Sequence, residues 1–218
     1  MSEETKEPKF ETVKIEASRI VDAFAGKDNE IYYRILVSEN TSFIRAAKQV
    51  KPVKDEPGMR CFSLPEDFTV HLTETAKNHT TGKYVDVECD VTVTDLKDLI
   101  AEKEVQGFVN FVVPKKYVSE KHISNEGNAY NFVFFPGIGS TIRSSESLKP
   151  VEGKDDVVRF SLPAEHTLTF SKKNEDGKSL KTELTPIDVK VQIAKMAIKK
   201  EKEAALAEAE PKKGAKSR

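Results

Sequence analysis

The stretch YVDVECDVTV at residues 84–93 places valine or cysteine at every odd position and a polar side chain or tyrosine at every even position. Successive side chains of a β-strand point to opposite faces, so this alternation predicts a strand with one apolar and one polar face. We expect the apolar face to be buried, together with the thiol of Cys89, because a free cysteine usually packs as a small apolar residue. The stretch therefore favours a protein built mainly from antiparallel strands.

The chain also matches itself when it is shifted by ~98 residues, which predicts an internal duplication. The shift aligns VKPV at 50–53 with LKPV at 148–151, and FSLP at 62–65 with the same four residues at 160–163. It further aligns Tyr32 with Tyr130, Arg45 with Arg143, and DV at 90–91 with DV at 188–189. We expect two tandem copies of one β module, at residues 10–103 and 107–198.

The copies are joined too closely for independent motion. Residues 103–107, KEVQG, are too short for a flexible linker, so we expect the copies to pack together as a pseudo-dimer. Residues 1–9 form a charged tail before the first copy. Residues 199–218 comprise a helical extension rich in alanine, glutamate and lysine, followed by a basic tail that we expect to be disordered.

Strand and helix signals recur in both copies. Strands are predicted at 10–16, 31–37, 68–73 and 84–93, and in the second copy at 108–113, 129–135 and 167–171. The apolar residues at 187, 189, 191 and 193 continue the alternation of 84–93. A helix is predicted at 95–103 and another from residue 193 onward. With five or six strands per copy, the pattern fits a small OB-like or Greek-key barrel, half of a sandwich, or an open sheet covered by a helix.

Composition limits the classes of protein that the chain can represent. The formal net charge is -1, so attraction to nucleic acid would require local clusters of basic residues. Cys61 and Cys89 are the only cysteines, which favours a reducing compartment. Residues 1–9 lack the apolar core of a signal peptide, and no stretch is apolar enough to span a membrane. We therefore expect a cytoplasmic protein without a membrane contact.

No catalytic motif is recognisable. The four histidines, at 71, 79, 122 and 166, fit no nucleophile or metal-ligand spacing, and we interpret them as surface or edge residues. FPGIGS at 135–140 contains two glycines after a strand, but no helix signal follows, so we interpret it as a turn. We expect no enzymatic activity, no cofactor and no bound metal.

Two functions remain open. The first is an accessory protein that binds nucleic acid, in particular single strands, through a basic loop beside aromatic side chains. Its candidate residues are Arg45, Lys48, Lys51, Lys54, Arg60, Tyr32 and Tyr33, with Tyr130, Arg143 and Lys149 in the second copy. The basic loop could equally be a solvated surface, and the matching tyrosines could be structural. Arg45 and Arg143 could instead pair with Asp90 or Asp188.

The second function is protein interaction or structural assembly, as in a component of a phage or mobile element. Residues 193–209 would dock a protein partner, because their later turns have no obvious core to join, or an exposed sheet edge would recruit a partner strand. Deleting residues 199–218 should abolish helix docking while only trimming nucleic-acid binding.

Overall fold

A computed structural model describes residues 8–78, 80–136, 138–144, 148–173 and 179–209. The fold is mainly antiparallel β, as predicted. The first half contains β1 (Phe10–Glu16), β2 (Ile20–Ala25), β3 (Ile31–Leu36), β4 (Thr41–Ala46), β5 (Lys51–Pro52), β6 (Met59–Pro65), β7 (Thr69–Lys77), β8 (Tyr84–Thr92) and α1 (Val93–Glu102). The second half contains β9 (Phe108–Pro114), β10 (His122–Ile123), β11 (Ala129–Phe135), β12 (Ser140–Ser144), β13 (Lys149–Val151), β14 (Lys154–Pro163), β15 (Leu168–Lys173), β16 (Ser179–Leu184) and α2 (Pro186–Ala209).

Each half packs small open sheets around apolar side chains. In the first half the sheet β1-β6-β5 packs against the sheet β2-β3-β4-β7-β8, and the rings of Phe43 and Phe62 meet between them at 5.7 Å. In the second half Phe111 of β9 stacks on Phe160 at 5.2 Å and contacts Phe135 edge-on at 5.4 Å. None of the described sheets closes on itself, so the predicted OB-like barrel is not observed and each half is closer to a sandwich.

Several elements of the two halves correspond at the predicted offset. β1 pairs with β6 so that Val13 lies opposite Phe62, and β9 pairs with β14 so that Phe111 lies opposite Phe160. The short strands agree as well, since Lys51 lies opposite Cys61 and Lys149 lies opposite Arg159. The order and register of these strands therefore agree between the two halves.

The correspondence slips by one residue in β12. Ile35 lies opposite Phe43 in the first half, whereas Val133, its counterpart, lies opposite Ile142. A shift of one residue exchanges the two faces of a strand. Arg45 accordingly lies opposite Tyr33, whereas Arg143 lies opposite Phe132 and not opposite Asn131, the counterpart of Tyr33.

The predicted alternation beyond residue 187 is wrong, because α2 begins at Pro186. The hydroxyl of Thr185 accepts a hydrogen bond from the Asp188 amide at 3.2 Å, and Asp188 Oδ2 accepts from the Thr185 amide at 2.9 Å. Thr92 and Asp95 form the same capping box at the start of α1. Asp188 is thus the counterpart of Asp95, and its alignment with Asp90 is also wrong.

The halves contact each other along an asymmetric junction. α1 packs against β1 of its own half, whereas α2 packs against β2 of the first half. The Lys190 ammonium of α2 binds the Asp22 carboxylate at 2.9 Å. A Cβ on Gly107 would lie 2.8 Å from Val21 Cγ1 and closer still to the Ser18 carbonyl, so the close approach of the halves requires glycine there.

The strand β8 ends one residue before the predicted bound, since Val93 begins α1, and it does not have the predicted burial. Val85 and Val87 are 42% and 49% exposed, and Cys89 is exposed, so the prediction of a buried thiol is wrong. Within the sheet, Val70 and Leu72 of β7 are buried on this face. The alternation in 84–93 therefore sets two faces of the strand, but along most of β8 no described element covers the apolar one.

Candidate functional site

Arg45 does not project from a basic loop. Its guanidinium carbon lies 5.4 Å from the ring centroid of Phe62 and 6.0 Å from that of Phe68, and Nη2 donates to the Ser63 carbonyl at 3.0 Å. Burial lowers the pKa of Arg45, although the group remains a cation at neutral pH. These contacts pack Arg45 of β4 against β6 and Phe68, and the predicted pairing with Asp90 is not observed.

The other basic candidates are dispersed. Lys48 binds the Glu30 carboxylate at 2.9 Å, which offsets its charge. Lys51, Lys54 and Lys149 are exposed, on β5, in the following turn and on β13. The side chain of Arg143 lies outside the described residues.

Tyr33 and Arg60 meet in a cleft of about 660 Å³ between the two halves, whose lining also includes Glu16, Glu165 and Asp188. Burial raises the pKa of Tyr33, and the Asp188 carboxylate acts in the same direction. With three carboxylates and one guanidinium, these charged lining residues sum to -2, which disfavours a phosphate group. The cleft is therefore a poor site for nucleic acid.

Tyr32 lies on the opposite face of β3 from Tyr33. Its ring stacks with Phe24 of β2, with 6.2 Å between centroids and 25° between planes, and its hydroxyl donates to Asp28 Oδ2 at 2.7 Å. A Cβ on Gly26 would lie 2.6 Å from the Tyr32 ring, so this glycine makes room for the tyrosine. Phe24 and Tyr32 form an aromatic pair on the outer face of the first half.

Tyr130, the counterpart of Tyr32, belongs to a larger cluster that we call the aromatic platform, formed by His122, Tyr130 and Phe132. His122 stacks on Tyr130 at 5.5 Å with 24° between planes, and Phe132 contacts His122 at 5.3 Å and Tyr130 at 5.5 Å. The residues at 130 and 132 share one face of β11 because they are two apart. His122 is exposed and Phe132 is 38% exposed, so the platform meets solvent.

The platform continues along β11 into a second aromatic contact with a cation. Phe134, two residues beyond Phe132, contacts Tyr117 at 5.8 Å, and the Lys116 ammonium lies 5.1 Å from the Tyr117 centroid. Residues 115–122, KKYVSEKH, carry three lysines and one glutamate, a net charge of +2 with the histidine neutral. The corresponding residues 17–24, ASRIVDAF, carry one arginine and one aspartate, a net charge of zero.

Sequence reasoning identified Tyr32 and Tyr130 but missed their ring partners. The interpretation of His122 as a surface or edge residue gives no ring partner for it, whereas it lies in β10 opposite Tyr130. A signal was present, because the offset that aligns the tyrosines also aligns His122 with Phe24. Phe132 has no such signal, since its counterpart is Arg34.

Outside these clusters, His71 and Asp90 form one further pair of titratable groups. His71 Nδ1 lies 2.6 Å from Asp90 Oδ1 on an exposed strand face. No group of three potential metal ligands is present among the described side chains. His79 lies outside them.

Within the part of the chain that the structure describes, neither helix combines the length and apolar content needed to cross a membrane. Comparisons with protein-family models, curated proteins and solved structures find no match to this chain.

Proposed function

We propose that the protein is a non-enzymatic accessory protein that binds single-stranded nucleic acid on the aromatic platform. The observation that carries the proposal is the contact of His122, Tyr130 and Phe132 on an exposed sheet face. Bases of a single strand stack on exposed aromatic rings, and each stacked base contributes about 1–3 kcal/mol. A duplex keeps its bases paired and would not use such a surface.

The charges around the platform support an anionic ligand. Lys116 and Lys121 flank the aromatic residues in sequence, and both are exposed. Neutralising a phosphate releases counterions, so each contributing lysine should steepen the salt dependence of binding by about one unit in log-log slope.

We also propose that the chain arose by duplication of one β module, at residues 10–103 and 107–198, and that the second copy specialised. Each half has a stacked aromatic pair at the corresponding positions, Phe24 with Tyr32 and His122 with Tyr130. The second pair also contacts a third ring, that of Phe132, and has the exposed lysines Lys116 and Lys121 near it in sequence. The first pair instead has Asp28 bonded to its tyrosine.

Fluorescence anisotropy of labelled single- and double-stranded oligonucleotides tests the proposal at low and at physiological salt. We expect micromolar or tighter binding of single strands, and about tenfold weaker binding for Tyr130→Ala and for Phe132→Ala. Lys116→Glu and Lys121→Glu should weaken binding of all sequences and flatten the salt dependence. Absence of binding to every oligonucleotide at low salt would contradict the proposal.

The basic residues of the first half provide a matched control. Lys51→Glu and Lys54→Glu carry the same change of charge on exposed side chains away from the platform. Platform binding predicts that these variants lose less affinity than Lys116→Glu and Lys121→Glu. A larger loss of affinity in Lys51→Glu and Lys54→Glu would place the binding site on the loop of the first half.

A second candidate function is docking of a protein partner by α2, as in an assembly component. Residues 199–206 of α2 are exposed on all sides, and Leu206 is 69% exposed. Ending the chain at residue 198 removes this projection but keeps Lys190 and Val189 at the junction. Loss of a partner with retention of oligonucleotide binding would assign docking to the helix.

A further inference from the structure

The strand β8 leaves one edge of the five-stranded sheet open. The opposite edge strand, β2, is covered by α2 through the ion pair of Lys190 with Asp22. β1 of the smaller sheet is covered by α1, where Lys97 binds Glu11 at 3.0 Å. Among the described residues no strand pairs with the outer edge of β8. The strand β8 is nine residues long, about 30 Å at ~3.3 Å per residue. Its outward-pointing backbone N–H and C=O groups therefore have no ladder partner among the described strands.

The two faces of this edge differ in chemistry. Val85, Val87 and Cys89 lie on the face that continues outward from the buried Val70 and Leu72. Exposed apolar side chains beside unpaired backbone groups are the features with which an edge recruits another strand. The edge therefore has the properties of a strand-addition surface.

The other face is acidic, with Asp86, Glu88 and Asp90. Asp86 accepts a hydrogen bond from Thr75 Oγ1 at 2.8 Å, and Asp90 lies 2.6 Å from His71 Nδ1. Each contact uses one carboxylate oxygen and leaves the other for a ligand. The three positions present three carboxylates along one edge.

These carboxylates decide which strand can be added. Residues directly opposite each other in a sheet share a face, and like charges there are destabilising. A second copy of this chain pairing through β8 would place carboxylates against carboxylates. A strand with lysine or arginine at alternate positions would place cations there and apolar side chains against the valines.

We propose that the outer edge of β8 binds an extended segment of a protein partner in which apolar residues alternate with lysine or arginine. This site is separate from the aromatic platform. The corresponding strand of the second half, β16, presents Lys181 and Glu183 and so has no net charge from these two residues. That strand supplies an internal control.

Two capped peptides serve as probes, KVKVKVK and EVEVEVE, added to the full chain at low millimolar concentration. The measurements are the backbone amide shifts in NMR spectra and the rate at which a thiol reagent modifies Cys89 in a Cys61→Ser background. We expect the lysine peptide to shift amides of β8 but not those of β16, and to slow modification of Cys89. The glutamate peptide should do neither.

Reversing the charge of the edge should reverse its choice of peptide. The double variant Asp86→Lys with Glu88→Lys should bind the lysine peptide about tenfold more weakly and gain binding of the glutamate peptide. Glu183→Lys on β16 should change neither affinity. The unfolding midpoint of each variant is measured alongside. If the double variant is destabilised, the single variant Glu88→Lys replaces it in the binding measurements, because it keeps the hydrogen bond from Thr75 to Asp86.

Three outcomes would overturn the inference. The first is unchanged β8 amides at millimolar lysine peptide, and the second is equal binding of both peptides. The third is concentration-dependent self-association that shifts the same β8 amides without peptide, which would make a second copy the occupant.

Discussion

Arg19 Nη2 donates to the backbone carbonyl of Ile100 at 2.9 Å and thereby ties the turn between β1 and β2 to the last turn of α1. Nη1 donates to the Val37 carbonyl at 3.2 Å, and Nη2 also donates to the Lys103 carbonyl. Carbonyls at a helix C-terminus lack partners within the helix, and a cation there is favoured by the helix dipole. Burial lowers the pKa of Arg19, while the Glu16 carboxylate acts in the opposite direction.

Arg19→Met should destabilise the protein by about 2–4 kcal/mol, because the substitution keeps an apolar stem but leaves buried carbonyls without a donor. Urea unfolding measures the loss. Lys27→Met, at an exposed position, should change the free energy of unfolding by less than about 0.5 kcal/mol. Equal unfolding midpoints for the two variants would contradict a structural role for Arg19.

The bond between Tyr32 and Asp28 predicts a pH effect. The tyrosine hydroxyl and then the Glu30 amide lower the pKa of Asp28 by donating to its carboxylate. Because the pKa of Asp28 in the folded protein lies below its unfolded-state value, the ionised carboxylate stabilises the fold at neutral pH. This stabilisation is lost as the pH falls through the lowered pKa. Tyr32→Phe should raise the pKa of Asp28, which an NMR titration of its carboxyl carbon measures. Tyr84→Phe, on β8, should leave that titration unchanged.

The sequence predicted strands better than it predicted burial. Alternation fixes which residues share a face, and the bounds of β1 and β11 agree with the prediction. It does not say what lies over that face, and Val87 and Cys89 are exposed because no described element packs on that face of β8. The start of α2 was missed because Ile187 and Val189 also fit a strand. Thr185, followed by proline and then Asp188, carries the signature of a helix start and could have corrected it.

The candidate site was predicted in part for a similar reason. Charge clusters in sequence do not show their partners. Lys48 meets Glu30 because the 3₁₀ turn Ala47–Gln49, which follows β4, lies beside β3. Arg45 meets Phe62 and Phe68 from other parts of the chain. The tyrosines at 32 and 130 could be found because a repeated aromatic residue is visible without any knowledge of its neighbours.

The exposure of Cys89 can be checked by its reactivity. A thiol reagent should modify Cys89 in the native protein faster than Cys61, which is partly buried in β6. Cys89→Ser should cost less than about 0.5 kcal/mol, as expected for a surface position. Slow modification of Cys89 together with a larger loss of stability would place the thiol in a core and contradict the open edge.

Lys190 joins the halves at a half-buried position, where a charge pair should contribute more than one at the surface. Its ammonium lies 2.9 Å from Asp22 Oδ1 and 5.5 Å from the centroid of Phe111, and 20% of the side chain is exposed. A double-mutant cycle of Lys190→Met and Asp22→Asn should give a coupling energy of about 1 kcal/mol in urea unfolding. Lys199 and Glu203, an exposed pair at 3.7 Å on α2, should couple by only about 0.3–0.5 kcal/mol. Equal coupling in the two cycles would mean that the ion pair adds nothing specific to the junction, and that its apolar contacts alone hold α2 on β2.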